Sequence, residues 1–204
     1  MEIFEKAIEY WQAGGILLIP IAIVCFGVWI YFLKSRDELL RTLRDSEGID
    51  EELAERLGGG DRGAASKFYA SRPGMLAQAL ANALTGGKDP GDSFARATGQ
   101  SLSFLRRDLV VLAGLTAAAP LLGLLGTVRG MIETFTGVAA AGDTADYVAA
   151  GISQALITTQ VGLVVAIPGV FGIARLRRLL GSVKTRVDSC RAHLSYALSR
   201  SEGK

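Results

Sequence analysis

The sequence predicts an all-α, polytopic membrane protein with three transmembrane helices and long helices that extend into the cytoplasm. Three apolar segments each reach the ~20 residues that a helix needs to cross a hydrocarbon core. Hydrophobic residues make up 50% of the 204-residue chain. No segment of convincing length shows the alternation of apolar and polar residues that is typical of a strand. These three observations together favour membrane-spanning helices.

The predicted elements follow one another along the chain. Residues 1–13 form an outer N-terminal segment, 14–33 the first transmembrane helix and 34–108 a cytoplasmic helical region. Residues 109–135 form the second transmembrane helix, 136–147 a short outer loop, 148–174 the third transmembrane helix and 175–204 a cytoplasmic C-terminal helix.

The orientation is predicted from the positions of the basic residues. Of the 22 Lys and Arg residues, 20 fall within 34–108 and 175–204. Because loops rich in Lys and Arg remain on the cytoplasmic side, both regions are expected in the cytoplasm and the N-terminus outside.

Breaker residues divide the cytoplasmic region into helices. We expect a charged helix over 34–57 that ends at consecutive glycines, and a second helix over 75–84 that follows Pro73. Asp89 and Pro90 form a helix-start signature, from which one long helix continues into the second span. The C-terminal segment carries an approximately helical apolar stripe, which predicts packing on neighbouring helices: Leu179, Leu180, Val183, Val187, Leu194 and Leu198.

Small and mildly polar residues recur on one face of the second and third spans. Their spacings of three and four residues place them on one side of a helix. In the second span they are Thr116, Pro120, Gly123, Thr127 and Gly130, and in the third they are Ala155, Thr159, Gly162, Ala166 and Gly169. Such faces allow helices to approach closely in lipid, so they predict helix packing and contact with partner helices.

The third span also carries polar side chains that a simple anchor does not need: Gln154, Thr158, Thr159 and Gln160. Polar groups at membrane depth are costly and usually face protein or water. One interpretation is an ion pathway lined by these residues and Thr127. The other is helix packing alone, with the hydroxyls of Thr127 and Thr159 bonded to the preceding turn of their own helices.

The sequence lacks the residues that several classes of function require. Residues 14–33, 109–128 and 148–174 contain no Asp, Glu or His, so a proton relay needs a titrating group from another chain. We predict no metal site, no cofactor and no enzymatic activity. The Gly86-Gly87-Lys88-Asp89 segment lacks the earlier glycine and the Ser or Thr of a P-loop. Acidic residues interleave with the basic ones, which argues against nucleic-acid binding.

Two motifs resemble the MotA/TolQ/ExbB proton-channel family. They are PLLGLLGTVRGMIETF at residues 120–135 and ISQALITTQVGLVVAIPG at residues 152–169. Within the family the resemblance is closest to the ExbB branch, and the TolQ branch is the alternative. Three spans in 204 residues argue against the flagellar MotA branch, which typically has four spans.

The resemblance implies a homo-oligomeric ring, a pentamer, in the bacterial inner membrane, with the outer segments in the periplasm. The ring would enclose an ExbD-like or TolR-like single-span partner whose membrane Asp carries the proton. Thr127 and Thr159 match the pore threonines of the family. The motion of the partner would be passed to a TonB-like or TolA-like protein, which energises outer-membrane import in the first case and envelope maintenance in the second.

The chain departs from the family pattern at Gln154, where ExbB and TolQ commonly have Glu. Amide and hydroxyl oxygens could also coordinate a hard cation, so Na⁺ stands beside H⁺ as a candidate coupling ion, with H⁺ favoured by the resemblance. A structural membrane scaffold, in which the small faces only pack helices, is the alternative of a different class.

Overall fold

The computed structural model describes residues 14–58, 62–85, 90–141 and 145–202. They form the helices α1 (Leu18–Asp45), α2 (Ile49–Gly58), α3 (Arg62–Ala70), α4 (Met75–Thr85), α5 (Pro90–Ala141) and α6 (Ala145–Glu202). Within these ranges no strand is present, and α1, α5 and α6 are long and apolar enough to cross a membrane. The predicted all-α polytopic class is therefore confirmed.

Each of the three spans belongs to a helix that continues well beyond it. The helices α1, α5 and α6 contain 28, 52 and 58 residues, and ~20 residues suffice for a bilayer. As predicted, α5 begins at Pro90, whose fixed φ suits the first helical position. The expected N-cap residue, Asp89, lies outside the described residues, as do residues 1–13.

The prediction of one charged helix over 34–57 is wrong. The helix of the first span runs on without a break to Asp45, and a separate helix, α2, begins at Ile49. Gly48 lies between them with φ of 76°, a left-handed conformation that ends helices and favours glycine. The Ser46 hydroxyl donates to the Leu43 carbonyl at 2.7 Å and so satisfies one of the last carbonyls of α1.

Other boundaries differ in smaller ways. The helix expected over 75–84 is confirmed as α4, whereas α3 was not anticipated. The glycines 59 and 60 and the segment 86–89 lie outside the described residues. The segment expected as an outer loop, 136–147, is helical up to Ala141 and again from Ala145.

The chain divides into two compact units. The first comprises the described parts of residues 1–33 and of Val110–Ala174, which contain the apolar spans. Buried apolar side chains from all three helices form its core, including Ile21 and Val28 of α1, Leu112 of α5 and Ile173 of α6. The candidate site lies in this unit.

The second unit comprises Lys34–Leu109 and the described part of Arg175–Lys204. The Ser66 hydroxyl of α3 lies 2.6 Å from that of Thr85 in α4 and donates to Ala81. The C-terminal part of α6 contributes the fully buried Val183 and Leu194, and Val187 is buried as well. Packing of the C-terminal stripe is thus confirmed for these residues, while Leu179 and Leu180 are half-buried and the Leu198 side chain is not described.

Candidate ion pathway

The helices α5 and α6 meet along a stripe of small side chains. The buried positions on α5 are Thr116, Ala119, Gly123, Gly126, Gly130 and Thr134. Those on α6 are Gly151, Ala155, Thr158, Gly162, Ala166 and Gly169. The spacings of three and four residues keep each set on one helix face, so the two backbones can pack directly against each other.

Glycine is required at the centre of this interface. A Cβ on Gly123 would lie 3.1 Å from the Thr158 carbonyl oxygen and 3.1 Å from the Thr159 Cα. A Cβ on Gly162 would lie 2.6 Å from the Ala119 carbonyl oxygen. These neighbours are backbone atoms, which cannot move without shifting a helix, so any larger residue would separate α5 from α6.

One side-chain hydrogen bond crosses the interface at this depth. The Thr159 hydroxyl lies 3.3 Å from the carbonyl oxygen of Gly123 on α5 and 3.0 Å from that of Ala155 on its own helix. In a regular α-helix the Gly123 carbonyl also accepts the backbone N–H of Thr127. One carbonyl therefore connects the two threonines that the sequence singled out.

Thr127 and Thr159 are both partly exposed beside the interface. The Thr127 hydroxyl donates to the Leu124 carbonyl at 2.7 Å, and that of Thr159 donates to a carbonyl as described. A hydroxyl has one proton and two lone pairs. Because each hydroxyl donates its proton to a carbonyl, both present lone pairs to their surroundings. These lone pairs can accept hydrogen bonds from water or from a protonated water.

Helix α1 packs on the other flank of the α5–α6 pair. A Cβ on Gly27 of α1 would contact Leu115 of α5, and a Cβ on Gly172 of α6 would contact Phe32 of α1. At about 100° per residue, Leu115 projects about 120° from Thr127 around α5. The two threonines consequently lie on the flank that α1 leaves uncovered.

Gln154 lies on the α1 flank rather than beside the threonines. A Cβ on Gly15, which has φ of 67°, would overlap the Gln154 side-chain nitrogen. Gln154 and Thr159 project about 140° apart around α6. The Gln154 side-chain amide is therefore packed against the turn that precedes α1.

Thr158 and Gln160, the two other polar residues singled out in the third span, also project away from the direction of Thr159. Thr158 is 1% exposed, and its hydroxyl donates to carbonyls of its own helix, Gln154 and Ala155. Gly126 lies directly opposite, since a Cβ there would overlap this hydroxyl. Gln160 is exposed and projects about 200° from the interface residue Gly162. The structure thus places Thr127 and Thr159 at the partly exposed edge of the interface, whereas the side chains of Gln154, Thr158 and Gln160 project in other directions.

The packing faces predicted from the sequence can be placed in the same way. Thr116, Gly123, Gly130, Ala155, Gly162, Ala166 and Gly169 are buried, whereas Pro120 is partly exposed on the flank of Thr127. Ala119, Gly126, Thr134 and Gly151 were missed, although their three- and four-residue spacing from Gly123, Gly130 and Ala155 was a usable signal.

The charged residues of α5 nearest to Thr127 are Arg129 and Glu133. Arg129 donates to Glu133 at 2.8 Å in an exposed ion pair. Arg129 is 21 residues from Asp108, about 32 Å along a helix, which is the thickness of a hydrocarbon core. Across the described ranges there is no group of three His, Cys, Asp or Glu that could hold a metal ion.

The segment that contains this site is similar to a known protein family. The model of the MotA/TolQ/ExbB proton channel family matches residues 70–189, which include both the Thr127 and the Thr159 segments. The biopolymer transport protein ExbB of Pseudomonas putida is 38% identical over 91 residues, covering 44% of this chain and 28% of that protein. The Tol-Pal system protein TolQ of Pseudomonas aeruginosa is 37% identical over 103 residues, covering 48% and 45%.

A longer match is found in Synechocystis sp., where a putative biopolymer transport protein ExbB-like 1 is 29% identical over 203 residues, covering 90% of this chain and 74% of that protein. For the ExbB proteins of Pseudomonas putida and Salmonella typhimurium, the match spans only 28% and 37% of their length. The family model nevertheless covers more than half of this chain, including both motifs of the site. The chain belongs to the MotA/TolQ/ExbB proton channel family.

Proposed function

We propose that this protein is an ExbB-like subunit of an ion-driven motor in the bacterial inner membrane. Several copies, five by the family resemblance, surround the single span of an ExbD-like partner. The partner contributes a membrane Asp, and proton flow through the assembly energises a TonB-like protein for outer-membrane import. We propose no enzymatic role for the chain. The observation that carries the proposal is that the Thr159 hydroxyl of α6 lies 3.3 Å from the carbonyl of Gly123, one helical turn before Thr127 on α5, on a flank that α1 leaves uncovered.

The chemistry of the two hydroxyls suits a wall of the pathway rather than the proton carrier. Neither hydroxyl titrates near neutral pH, and both present acceptor lone pairs. The apolar cores of the second and third spans contain no carboxylate that could carry a proton. A carboxyl group on a partner span would complete the relay, and its two charge states would interact differently with the ring, which is what a motion driven by ion flow requires.

The outer surface of the spans supports assembly into a ring. Within one protomer, only 22–33% of the most apolar 18-residue stretch of each span is buried. Exposed apolar side chains cover the rest, among them Leu121 and Phe135 on α5 and Leu156 and Phe171 on α6. Lipid alone can cover such a surface, but lining a closed pathway with Thr127 and Thr159 requires neighbouring copies.

In the proposed topology the N-terminus is periplasmic and the C-terminus cytoplasmic. The support is the basic-residue distribution, with 20 of 22 Lys and Arg residues in 34–108 and 175–204. We propose H⁺ as the coupling ion. Gln154, one of the residues whose oxygens were considered as cation ligands, contacts the turn before α1 instead of lying beside the threonines.

A TolQ-like role with TolR-like and TolA-like partners is the second candidate. It is favoured by the similarity to TolQ, which at 37% identity is close to that of the ExbB relatives. The two roles differ in the partner chains and share the proposed ring.

Native mass determination after gentle extraction from the source membrane tests the proposal. We expect five copies together with a small single-span protein that carries a membrane Asp. Identification of a TonB-like or a TolA-like chain in the same sample distinguishes the two roles. A monomer or dimer that persists without a partner under milder extraction would contradict the motor and favour the scaffold.

Proton flux then tests the site in the reconstituted complex. We expect Thr127→Val and Thr159→Val to lower the flux driven by a pH gradient by at least about tenfold, while the assembly keeps its mass. Unchanged flux in both variants would show that the hydroxyls only pack helices. A flux that follows a Na⁺ gradient instead would reject H⁺ as the coupling ion.

A further inference from the structure

Exposed arginines are concentrated where the three long helices enter the second unit. They lie within five residues of the border between the units: Arg36 on α1, Arg106 and Arg107 on α5, and Arg175, Arg177 and Arg178 on α6. All six belong to the second unit. The border region is therefore strongly basic.

None of these six arginines forms an ion pair with a described residue. Two of the acidic residues nearby, Asp37 and Asp108, have other partners, and Glu38 is exposed and forms no ion pair with these arginines. Asp108 is bound by Lys34 at 2.8 Å, and Asp37 lies 3.6 Å from Arg41. The Arg107 guanidinium carbon lies over the face of Phe104, 5.7 Å from the ring centroid. The six guanidinium groups are thus left without an ion-pair partner among the described residues.

Two arginines farther from the border, Arg56 and Arg72, do have a carboxylate partner. Arg72 is paired with Glu52, and Arg56 approaches the same carboxylate at 3.9 Å while it covers the Phe68 ring at 3.5 Å. The Glu52 carboxylate of the second unit is therefore placed against Arg56 and Arg72 and not against the border arginines. The border arginines remain available for an external anion.

We propose that these border arginines bind the phosphate groups of anionic phospholipids. A guanidinium group offers a planar set of donors that matches phosphate oxygens in a bidentate arrangement. The border is also where the apolar stretches meet charged sequence: Lys34 follows Leu33, Arg175 follows Ala174, and Arg106, Arg107 and Asp108 lie just before Leu109 and Val110. Headgroup phosphates lie at that depth of a bilayer, and basic clusters next to a span attract anionic lipids.

This inference requires only that the chain spans a membrane and does not depend on the proposed motor. Lipid selectivity can be measured with spin-labelled phosphatidylglycerol and phosphatidylcholine around the full-length protein in a reconstituted bilayer. The fraction of motionally restricted label gives the ratio of the two affinities. We expect a preference for phosphatidylglycerol of about fivefold, the contribution of one basic side chain close to an anionic surface.

Two triple variants with equal charge change separate the border from the net charge of the protein. In the border variant, Arg107→Gln, Arg175→Gln and Arg178→Gln are combined. In the control, Lys67→Gln, Lys184→Gln and Arg191→Gln remove three exposed basic residues from elsewhere in the second unit. We expect the preference to fall by at least about half in the border variant, which keeps Arg36, Arg106 and Arg177, and to stay near the wild-type value in the control.

A third variant tests whether a lost preference reflects the lost charge or a failure to fold. Arg107→Lys, Arg175→Lys and Arg178→Lys together keep the charge, so the preference should be retained in large part. Three outcomes would overturn the proposal: no preference in the wild-type protein, an equal fall in both glutamine variants, or a border variant that keeps its preference.

Discussion

The Thr159 hydroxyl of α6 lies 3.3 Å from the Gly123 carbonyl oxygen of α5. In regular helix geometry this carbonyl also accepts the backbone N–H of Thr127. The two hydroxyl-bearing residues of the candidate pathway are thus connected through a glycine, and their relative position depends on how closely the two helices approach there. Changes at Gly123 should affect both threonines at once.

Gly123→Ala is expected to destabilise the protein by about 1–3 kcal/mol, the usual cost of overpacking. The added methyl group would lie 3.1 Å from two backbone positions of α6. Gly114→Ala is the matched control, because a Cβ on that residue of α5 meets nothing within 4 Å. Alanine gains helix propensity at both positions, so Gly114→Ala should be neutral or slightly stabilising. Thermal unfolding of the two variants in detergent is the measurement. Equal changes in stability for Gly123→Ala and Gly114→Ala would contradict a close approach of α5 and α6 at Gly123.

Thr158→Val should leave proton flux within about twofold of wild type, whereas Thr159→Val should reduce it by at least about tenfold. Valine has nearly the shape of threonine, so packing is preserved in both. The Thr158 hydroxyl is buried and donates only to carbonyls of its own helix. Flux through vesicles containing the complete complex is the measurement. A large loss in the Thr158 variant would place the pathway inside the protomer rather than on its uncovered flank.

Gly15→Ala should destabilise the start of α1 by about 1–3 kcal/mol, the cost of holding a strained backbone conformation. Gly15 has φ of 67°, and an added methyl group would overlap the Gln154 amide. Combining it with Gln154→Ala removes the overlap but not the backbone strain, so we expect partial recovery. Thermal unfolding of both single variants and the double variant measures this coupling. Strictly additive effects would show that Gln154 does not contact the turn.

Tyr69→Phe should stabilise the second unit by about 1 kcal/mol, because a buried polar group without a partner carries a desolvation cost. Tyr69 is fully buried, and its hydroxyl has no hydrogen-bond partner among the described residues. Unfolding midpoints of the two proteins at neutral pH test this expectation. A less stable variant would indicate that the hydroxyl is hydrogen-bonded, for example to a buried water.

The same substitution should change the response to alkaline pH. Burial, assisted by the nearby Glu52 carboxylate, raises the pKa of Tyr69 from 10.0 to about 12. Below pH ~10 the phenol keeps its proton in the folded and unfolded chains alike. Between about pH 10 and 12 only the unfolded chain releases it, so this group lowers the free energy of unfolding as pH rises. Tyr69→Phe should remove that part of the loss of stability at alkaline pH. The free energy of unfolding of both proteins, measured between about pH 8 and 12, can detect the difference.

Much of the architecture follows from patterns of local sequence. Apolar segments of bilayer length predict the three spans, and Pro90 marks the start of α5 because its fixed φ suits a first helical turn. The break at Gly48 was missed because one glycine among helix-forming residues is a weak local signal. Its left-handed conformation depends on how α2 packs through the fully buried Ile49 and Leu53.

Sequence alone also accounts for the membrane-spanning class, the small-residue faces and the choice of Thr127 and Thr159 as a pair. It could not separate that pair from Thr158, Gln154 and Gln160, since residues close in sequence on a helix project in different directions by about 100° per step. Which direction faces α5, which faces α1 and which stays uncovered is determined by the packing of helices distant in sequence. The close approach at Gly123 and Gly162 places Thr158 inside the interface and Thr159 at its edge.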